Sequence, residues 1–351
     1  MFAQSHSPEQ LALSELDAYL ARGWFRMGQA IFTTNFVRFK GEIYSTIWLR
    51  ILLNDYIADR TQVKLFKQNA VFRTAIQPAH LTIEKEELYA RYQLSLSFQT
   101  SESLQHLLFG NKDTKSIYTT YEVTVHDGDR LIAIGFFDIG KTAASGITSV
   151  YDPAYKKYSL GKYLIYQKIQ YCLQLNLRYF YPGYFVPGYT YFDYKLSIGR
   201  EALQFLQLSS QHWVNIKAFF SESIPYQVMY DKLANAQKLL SLTDLESSIM
   251  KYEYFDANLI PDLGETKLFD FPLFLFRPAP SEEDIHLTVV YDVRDARYHL
   301  LVCLPLWQPE VTHSDTMVYS SCFLKVFQEL HSTTVAEEIT DMFFKLVKNN
   351  N

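Results

Sequence analysis

Three cysteines in 351 residues, Cys172, Cys303 and Cys322, are too few and too scattered for a disulfide framework or a C-x-x-C metal site. Such sparing use of thiols fits a reducing compartment. No stretch reaches the roughly 18 apolar residues that a membrane-spanning helix needs. The opening MFAQSHSPEQ also lacks the charged-then-apolar pattern of a secretory signal. A cytoplasmic chain with no membrane partner is expected. Strong charge of either sign is missing as well: 33 basic against 38 acidic residues leave a formal −5. The chain as a whole therefore has no pull on nucleic acid. DNA is not expected as a partner, and any RNA contact has to use a local basic patch. The histidines lack ligand spacing, so no metal is expected.

Aromatic residues are abundant. Tyr and Phe, 26 of each, bring the aromatic content to 16% within a hydrophobic content of 48%. A chain of this length has enough apolar surface for about two domains of roughly 100–200 residues each. Rings are densest in YFYPGYFVPGYTYFDYK, residues 179–195, where Gly183, Pro187 and Gly188 prevent a helix from running through. Rings interleaved with chain-turning residues suit a cleft that brings backbone and aromatic faces close to a ligand.

The hydrophobic periodicity predicts a first helix in SPEQLALSELDAYLARG, with Ser7 as N-cap, Pro8 in the first turn, Gln10 completing a capping box and Gly23 as the stop. AIFTTNFV and IYSTIWLRILL read as strands. RTQVKLFKQNAVFRTAI passes from helix to strand, TIEKEELYARYQLSLSF is a helix, and SLQHLLF lies in a short connection. IYTTYEVTVHDGDRLIAIGFFDIG alternates on either side of an Asp-Gly turn and predicts a hairpin. The strand ITSVYD, the helix LGKYLIYQKIQYCLQLN and the strand LRYFYPGYFV follow. Strand, strand, strand, helix, strand is the centre of a GNAT-type acyltransferase. Residues 196–260 read as mostly helical and loop-rich. FPLFLF, HLTVVYDV and YHLLVCLPL read as strands, and two helices are expected near 320–347.

Several segments, in order, resemble the aminoacyl-tRNA–protein transferases: the arginyl-transferases and their bacterial leucyl-transferring relatives. LARGWFRMGQAIF is similar to that family's GW-R-x-G-Q/K segment. RTQVKLFKQN and EELYARYQ resemble its basic run and the helix after it. FDIGKTAASGITSVYDPAYKKYSLGKYLI is similar, without a gap, to its D-V-L…Y-D-P…S-L-G-x-Y segment. The 179–195 stretch resembles Y-x-G-Y-x-I-x-G-C-x-K-M-x-Y-K, with Tyr189, Tyr191 and Phe192 standing where the family has Cys, Lys and Met. The family's N-terminal cysteines are absent from TTNFVRFKG, and Thr148 replaces an expected tyrosine. The resemblance covers about residues 12–200.

It implies a mixed α/β (α+β) fold. The expected parts are an N-terminal α/β subdomain (1–110), a GNAT-like catalytic core (111–215) and a C-terminal accessory extension (216–351). It also implies transfer of an amino acid of the arginine or leucine class from aminoacyl-tRNA to the N-terminal amine of an acceptor protein, as in N-degron tagging for protein degradation. An ester becomes an amide, so no cofactor is expected. Asp138, Tyr184, Tyr194 and Lys195 are the catalytic candidates. Asp138 would accept from the amine or orient it, Tyr184 and Tyr194 would donate to the ester carbonyl or stack on the terminal adenine, and Lys195 would contact phosphate or stabilise the oxyanion. Tyr151, Asp152, Ser159, Gly161, Gly183, Gly188 and Tyr189 are candidates for substrate binding. Arg26, Arg60, Lys64 and Lys67 are candidates for contact with the acceptor stem. Each has a plain structural alternative: a turn-capping carboxylate for Asp138, an N-cap for Ser159, a turn start for Asp152, a core-edge tyrosine, or a solvated basic face. Two other functions remain open. One is a catalytically degenerate binder of tRNA or of a degron. The other is an acyl-CoA-dependent acetyltransferase, although only Gly161 of that class's pyrophosphate turn is in place and Tyr163 would crowd it.

Overall fold

The computed structural model describes residues 1–96, 100–110, 116–243, 245–260, 263, 266–276, 286–307 and 317–349. Its centre is an eight-stranded sheet. From one edge the strands run His212–Asn215, Leu203–Gln207, Ile47–Leu52, Tyr179–Phe185, Ala143–Tyr151, Arg130–Ile139, Thr120–Asp127 and Arg73–Pro78. Every neighbouring pair is antiparallel except Ala143–Tyr151 with Tyr179–Phe185, which are parallel. A parallel pair needs a crossover, and the helix Leu160–Gln174 supplies it. Its buried stripe of Leu160, Leu164, Tyr166 and Ile169 packs with Phe137, Ala144 and Phe180. Antiparallel hairpin strands, a crossover helix and a parallel strand make the mixed α/β, GNAT-like core that the sequence predicts.

The Asp-Gly turn is present: Gly128, at φ +59, joins strands that pair Asp127 with Arg130. The opposite face of the sheet is covered by the helix Ile83–Gln93, capped by Thr82, and by the short helix Leu104–Phe109, capped by Ser103. Leu88, Tyr89, Leu104 and Leu108 seal Leu131, Ile134 and Phe136 there. SLQHLLF is therefore a helix rather than a connection. The end of the predicted 82–98 helix, from residue 97, lies outside the described residues.

The first helix starts later than predicted, at Leu13. Ala3–His6 is drawn into a strand against Ala30–Thr34, which takes Ser7, Pro8 and Gln10 out of the helix. Glu15 then accepts the Ala12 N–H at 2.7 Å, a capping role that the sequence reading gave to other residues. Residues 196–260 carry one long helix, Pro225–Ser241, and the strands Leu203–Gln207, His212–Asn215 and Ser248–Tyr252.

A second, six-stranded sheet holds Val318–Tyr319, Ser248–Tyr252, Leu273–Phe276, His286–Asp292, Arg297–Trp307 and Phe323–Thr333, in that order. Phe323–Thr333 was expected to be helical. It pairs instead along the full length of Arg297–Trp307, and only Ala336–Asn349 is a helix. Pro225–Ser241 and Ala336–Asn349 bury Met229, Leu233, Ile339 and Phe343 against this sheet. The N-terminus ties the two sheets together. Phe2 is 1% exposed within the second core, Ala3 N–H donates to Asp270 at 3.2 Å, and Arg38 pairs with Glu253. Among the described residues no helix is long and apolar enough to cross a membrane.

Candidate active site

The two parallel strands of the central sheet pair at only three positions, Ala143 with Tyr179, Ala144 with Phe180 and Ser145 with Tyr181. Both strands then continue, to Tyr151 and Phe185, without pairing to each other. Irregularities on their outer sides accompany the parting. A bulge between Gly146 and Thr148 leaves Ile147 out of register with its antiparallel neighbour, and the register of the other strand slips between Phe180 and Gly183. Gly183 sits at φ +88, a conformation that disfavours any residue with a Cβ. The gap is a cavity of about 240 Å³. Gly146, Ile147, Thr148 and Ser149 form one wall and Phe180 and Pro182 the other. Tyr89 and Tyr92 come from the covering helix, and Tyr191, Phe192, Tyr194 and Lys195 from the turn after the strand.

Two lysines reach this cavity. Lys168, on the buried stripe of the crossover helix, is 1% exposed; its Nζ donates to Thr148 O at 2.7 Å and Ser149 Oγ at 3.1 Å. Gly135 makes room for it, since a Cβ there would lie 2.8 Å from Lys168 Cε. Lys195 Nζ donates to Tyr184 O at 2.7 Å and lies 5.0 Å from the Phe192 ring centre. Burial lowers each ammonium to a pKa of about 7. No carboxylate is found among the described residues that line the cavity.

Tyrosines form the rim. Tyr92 and Tyr151 rings stand 5.2 Å apart, and Tyr191 meets Phe192 edge-on at 5.3 Å. Burial, and next to it a hydrogen bond to Tyr191, raise the Tyr92 hydroxyl well above the ordinary range.

Of the predicted site residues, Lys195 and Tyr194 line this cavity, and Gly183 lies behind Lys195, where a Cβ would be 3.2 Å from its Nζ. Tyr184 contributes its carbonyl to Lys195 while its ring packs edge-on against Trp48 at 4.9 Å. Tyr189 stacks on Phe39 at 4.6 Å, and Gly188 faces the Tyr44 ring, so these two anchor the turn rather than line the cavity. Tyr151 packs over Gly161, where a Cβ would be 3.4 Å from the ring.

Asp138 lies elsewhere. It is wholly buried and accepts from Arg26 Nη1 at 2.9 Å and Thr120 Oγ1 at 2.7 Å. Desolvation raises its pKa against the pull of Arg26. Arg26, expected at the acceptor stem, is 4% exposed in this pair and stacks over Tyr118 at 4.4 Å. Its guanidinium is spent inside the fold. Asp152 caps the turn Pro153–Tyr158 and pairs with Arg130 at 2.6 Å. Ser159 takes a left-handed φ of +52 and makes no side-chain cap, so its predicted N-cap hydrogen bond is not formed. Arg60, Lys64 and Lys67 are exposed along the helix Arg60–Asn69.

Residues 84–204 match the family described as Arginine-tRNA-protein transferase, C terminus. An aspartate/glutamate leucyltransferase of Leptospira interrogans (serogroup Icterohaemorrhagiae, serovar copenhageni) is 32% identical over 192 residues, covering 54% of this chain and 73% of the relative. The chain belongs to the aminoacyl-tRNA–protein transferase family. A leucyltransferase of the same description from Campylobacter jejuni (serotype O:6) is 29% identical over 50% of this chain and 74% of that family member. Solved structures with a fainter likeness include the C-terminal domain of a putative lysylphosphatidylglycerol synthetase from Agrobacterium fabrum, at 8% identity and TM-score 0.32 over 40% of this chain and 46% of that one. FemX is similar at 9% identity and TM-score 0.31 over 54% and 64%. Both likenesses are too weak to bear on function.

Lys168 escaped the sequence reading. Its signal is there: it lies four residues after Leu164 and four before Cys172, on the apolar stripe of a helix, where a charged residue needs a reason. The structure shows where it goes: the amine ends on the cavity wall, bonded to Thr148 O and Ser149 Oγ.

Proposed function

We propose that the protein transfers a leucine-class aminoacyl group from aminoacyl-tRNA to the N-terminal amine of an acceptor protein that begins with Asp or Glu, a tagging step of the N-degron kind. The observation that carries this reading is the cavity with two buried lysines and, among the described residues, no carboxylate. An arginyl side chain entering it would meet like charge and no partner. An acidic side chain would meet Lys168 and Lys195, and an apolar one would meet Ile147, Phe180 and Phe192. The relatives in Leptospira and Campylobacter carry the matching description.

The reaction needs no energy source beyond the ester. The neutral α-amine attacks the ester carbonyl carbon, a C–N bond forms, and the C–O bond to the terminal ribose breaks. The proton lost by the amine balances the one gained by the ribose hydroxyl. An α-amine has a pKa of roughly 7.7–8.0, so the site has to take up its neutral form. A tetrahedral oxyanion requires hydrogen-bond donors, each contributing on the order of 3 kcal/mol, and the transfer reading puts them where the two strands part. Tyr194 and Tyr191 at the rim, 41% and 42% exposed, offer faces on which the terminal adenine can stack.

The test is transfer of labelled leucine or arginine from charged tRNA to peptides that start with Asp, Glu or Ala. Leucine labelling confined to the acidic peptides is expected. Lys195→Met should lower kcat/KM for the Asp peptide by about 30-fold or more, as expected when a buried charge loses its partner, and leave the Ala peptide's background rate nearly unchanged. Preference for arginine, or equal labelling of Asp and Ala peptides, would overturn the reading. Binding of charged tRNA without transfer would favour a degenerate binding protein.

A further inference from the structure

Although the chain is net acidic, one of its faces is not. Helix Arg60–Asn69 (RTQVKLFKQN) carries Arg60, Lys64 and Lys67 at spacings of four and three, hence on one side, and contains no acidic residue. The run PAYKKYSLGK, 153–162, carries Lys156, Lys157 and Lys162, again without a carboxylate. Folding joins the two segments. Gln68 Nε2 donates to Lys157 O at 3.0 Å, Asn69 Nδ2 donates to Tyr158 O at 3.2 Å, and Phe66 packs edge-on to Tyr163 at 5.4 Å. The carboxylates that flank the two segments are engaged: Asp59 by the Gln62 N–H and the Tyr166 hydroxyl, Asp152 by the Ala154 N–H and Arg130, and Asp127 by the Tyr155 hydroxyl. The basic face also has a direction. Lys162 Nζ donates to Ser197 Oγ at 2.8 Å, and Ser197 Oγ donates to the carbonyl of Tyr194, which lines the cavity.

We propose that the face made by helix Arg60–Asn69, the turn Pro153–Tyr158 and the start of helix Leu160–Gln174 is the track along which the acceptor stem of the tRNA lies, with Lys162 the phosphate contact nearest the ester. This rests on the transfer reading above for what enters the cavity, but not for the affinity of the face itself. The argument is electrostatic. Six basic side chains sit on two interlocked segments that carry no carboxylate, and they end two hydrogen bonds from the cavity. A phosphate backbone is the partner that such a stripe fits, because each neutralised phosphate releases counterions and makes binding fall with salt. Arg26, in its buried ion pair, takes no part.

Uncharged tRNA binding to the full chain, followed by anisotropy across a salt series, tests the face independently of catalysis. Lys64→Glu/Lys67→Glu and Lys156→Glu/Lys157→Glu should each weaken binding at least tenfold near 100 mM salt. Each should also flatten the log–log salt slope by about 2, at roughly 0.9 per lost phosphate contact. Lys238→Glu/Lys345→Glu, exposed lysines of the second lobe, changes net charge equally and should bind as wild type. Wild-type affinity and slope in the first two variants, or equal loss in all three, would overturn the proposal. So would a wild-type protein that binds no tRNA. If tRNA binds on this face but no amino acid is transferred, the track stands and the transfer reading fails.

Discussion

The sealed side of the central sheet and its split treat buried charge in opposite ways. On the sealed side Asp138 meets Arg26 and Thr120 at hydrogen-bond distance, and the chain supplies both charges itself. In the split, Lys168 and Lys195 have carbonyl and hydroxyl partners and, for Lys195, the rings of Phe192 and Tyr184, and burial lowers both ammonium pKa values. The closed pair meets Asp138 through Oδ1 alone, and the buried Oδ2 carries no hydrogen bond. In the transfer reading proposed above, the amines that face the cavity are the groups an acidic acceptor would meet. The difference separates a charge paired within the fold from amines that face a cavity.

The comparison can be broken most forcefully at the closed pair. Arg26→Met leaves Asp138 buried without its counter-charge, which should cost about 3–5 kcal/mol in urea unfolding. Arg26→Met/Asp138→Leu should recover most of that loss, and failure to recover would mean that the pair is not what Arg26 stabilises. A finer test lies in the cavity. The Lys168 pKa is depressed to about 7 in the fold and is near 10.4 when unfolded, so between these values the unfolded chain binds the extra proton. Its burial cost is therefore full below pH 7 and fades as pH rises. Lys168→Met should remove a stability gain of roughly 2 kcal/mol between pH 7 and 9, measured as the difference in ΔG of unfolding between the two proteins. An unchanged pH slope would place the ammonium in water. The smallest effect is expected at Gly183, where Ala would strain a φ of +88 and place its Cβ 3.2 Å from Lys195 Nζ. About 1–2 kcal/mol of stability should be lost, together with part of the selectivity for acidic acceptors. Lost stability with intact selectivity would separate Gly183 from the lysine.

Much of the core could be read along the chain because its signals are local. The Asp-Gly turn, the three- and four-residue spacing of apolar residues in 160–174 and the strand after it each depend on neighbours a few residues away. The first helix was misplaced because Ala3–His6 pairs with residues nearly 30 positions on. Phe323–Thr333 reads as a helix until Arg297–Trp307 offers its ladder, which shows tertiary pairing overriding local preference.

The site divides in the same way. The ring-rich turn 179–195 and the motifs of 138–161 are properties of the sequence, and they were enough to suggest the family and to mark Lys195, Tyr194 and Gly183. The sequence also determined that no disulfide framework and no membrane-spanning helix would be expected of this chain. Only the tertiary structure decided which charges close on each other. Arg26 and Asp138 are 112 residues apart and meet because two strands and a short helix bring them together. Lys168 reaches the cavity because the crossover helix lies under a strand that bulges at Ile147 and a glycine at 135 leaves it room. Periodicity can assign a residue to a face, but whether a buried charge finds an opposite one depends on distances that exist only once the chain has folded.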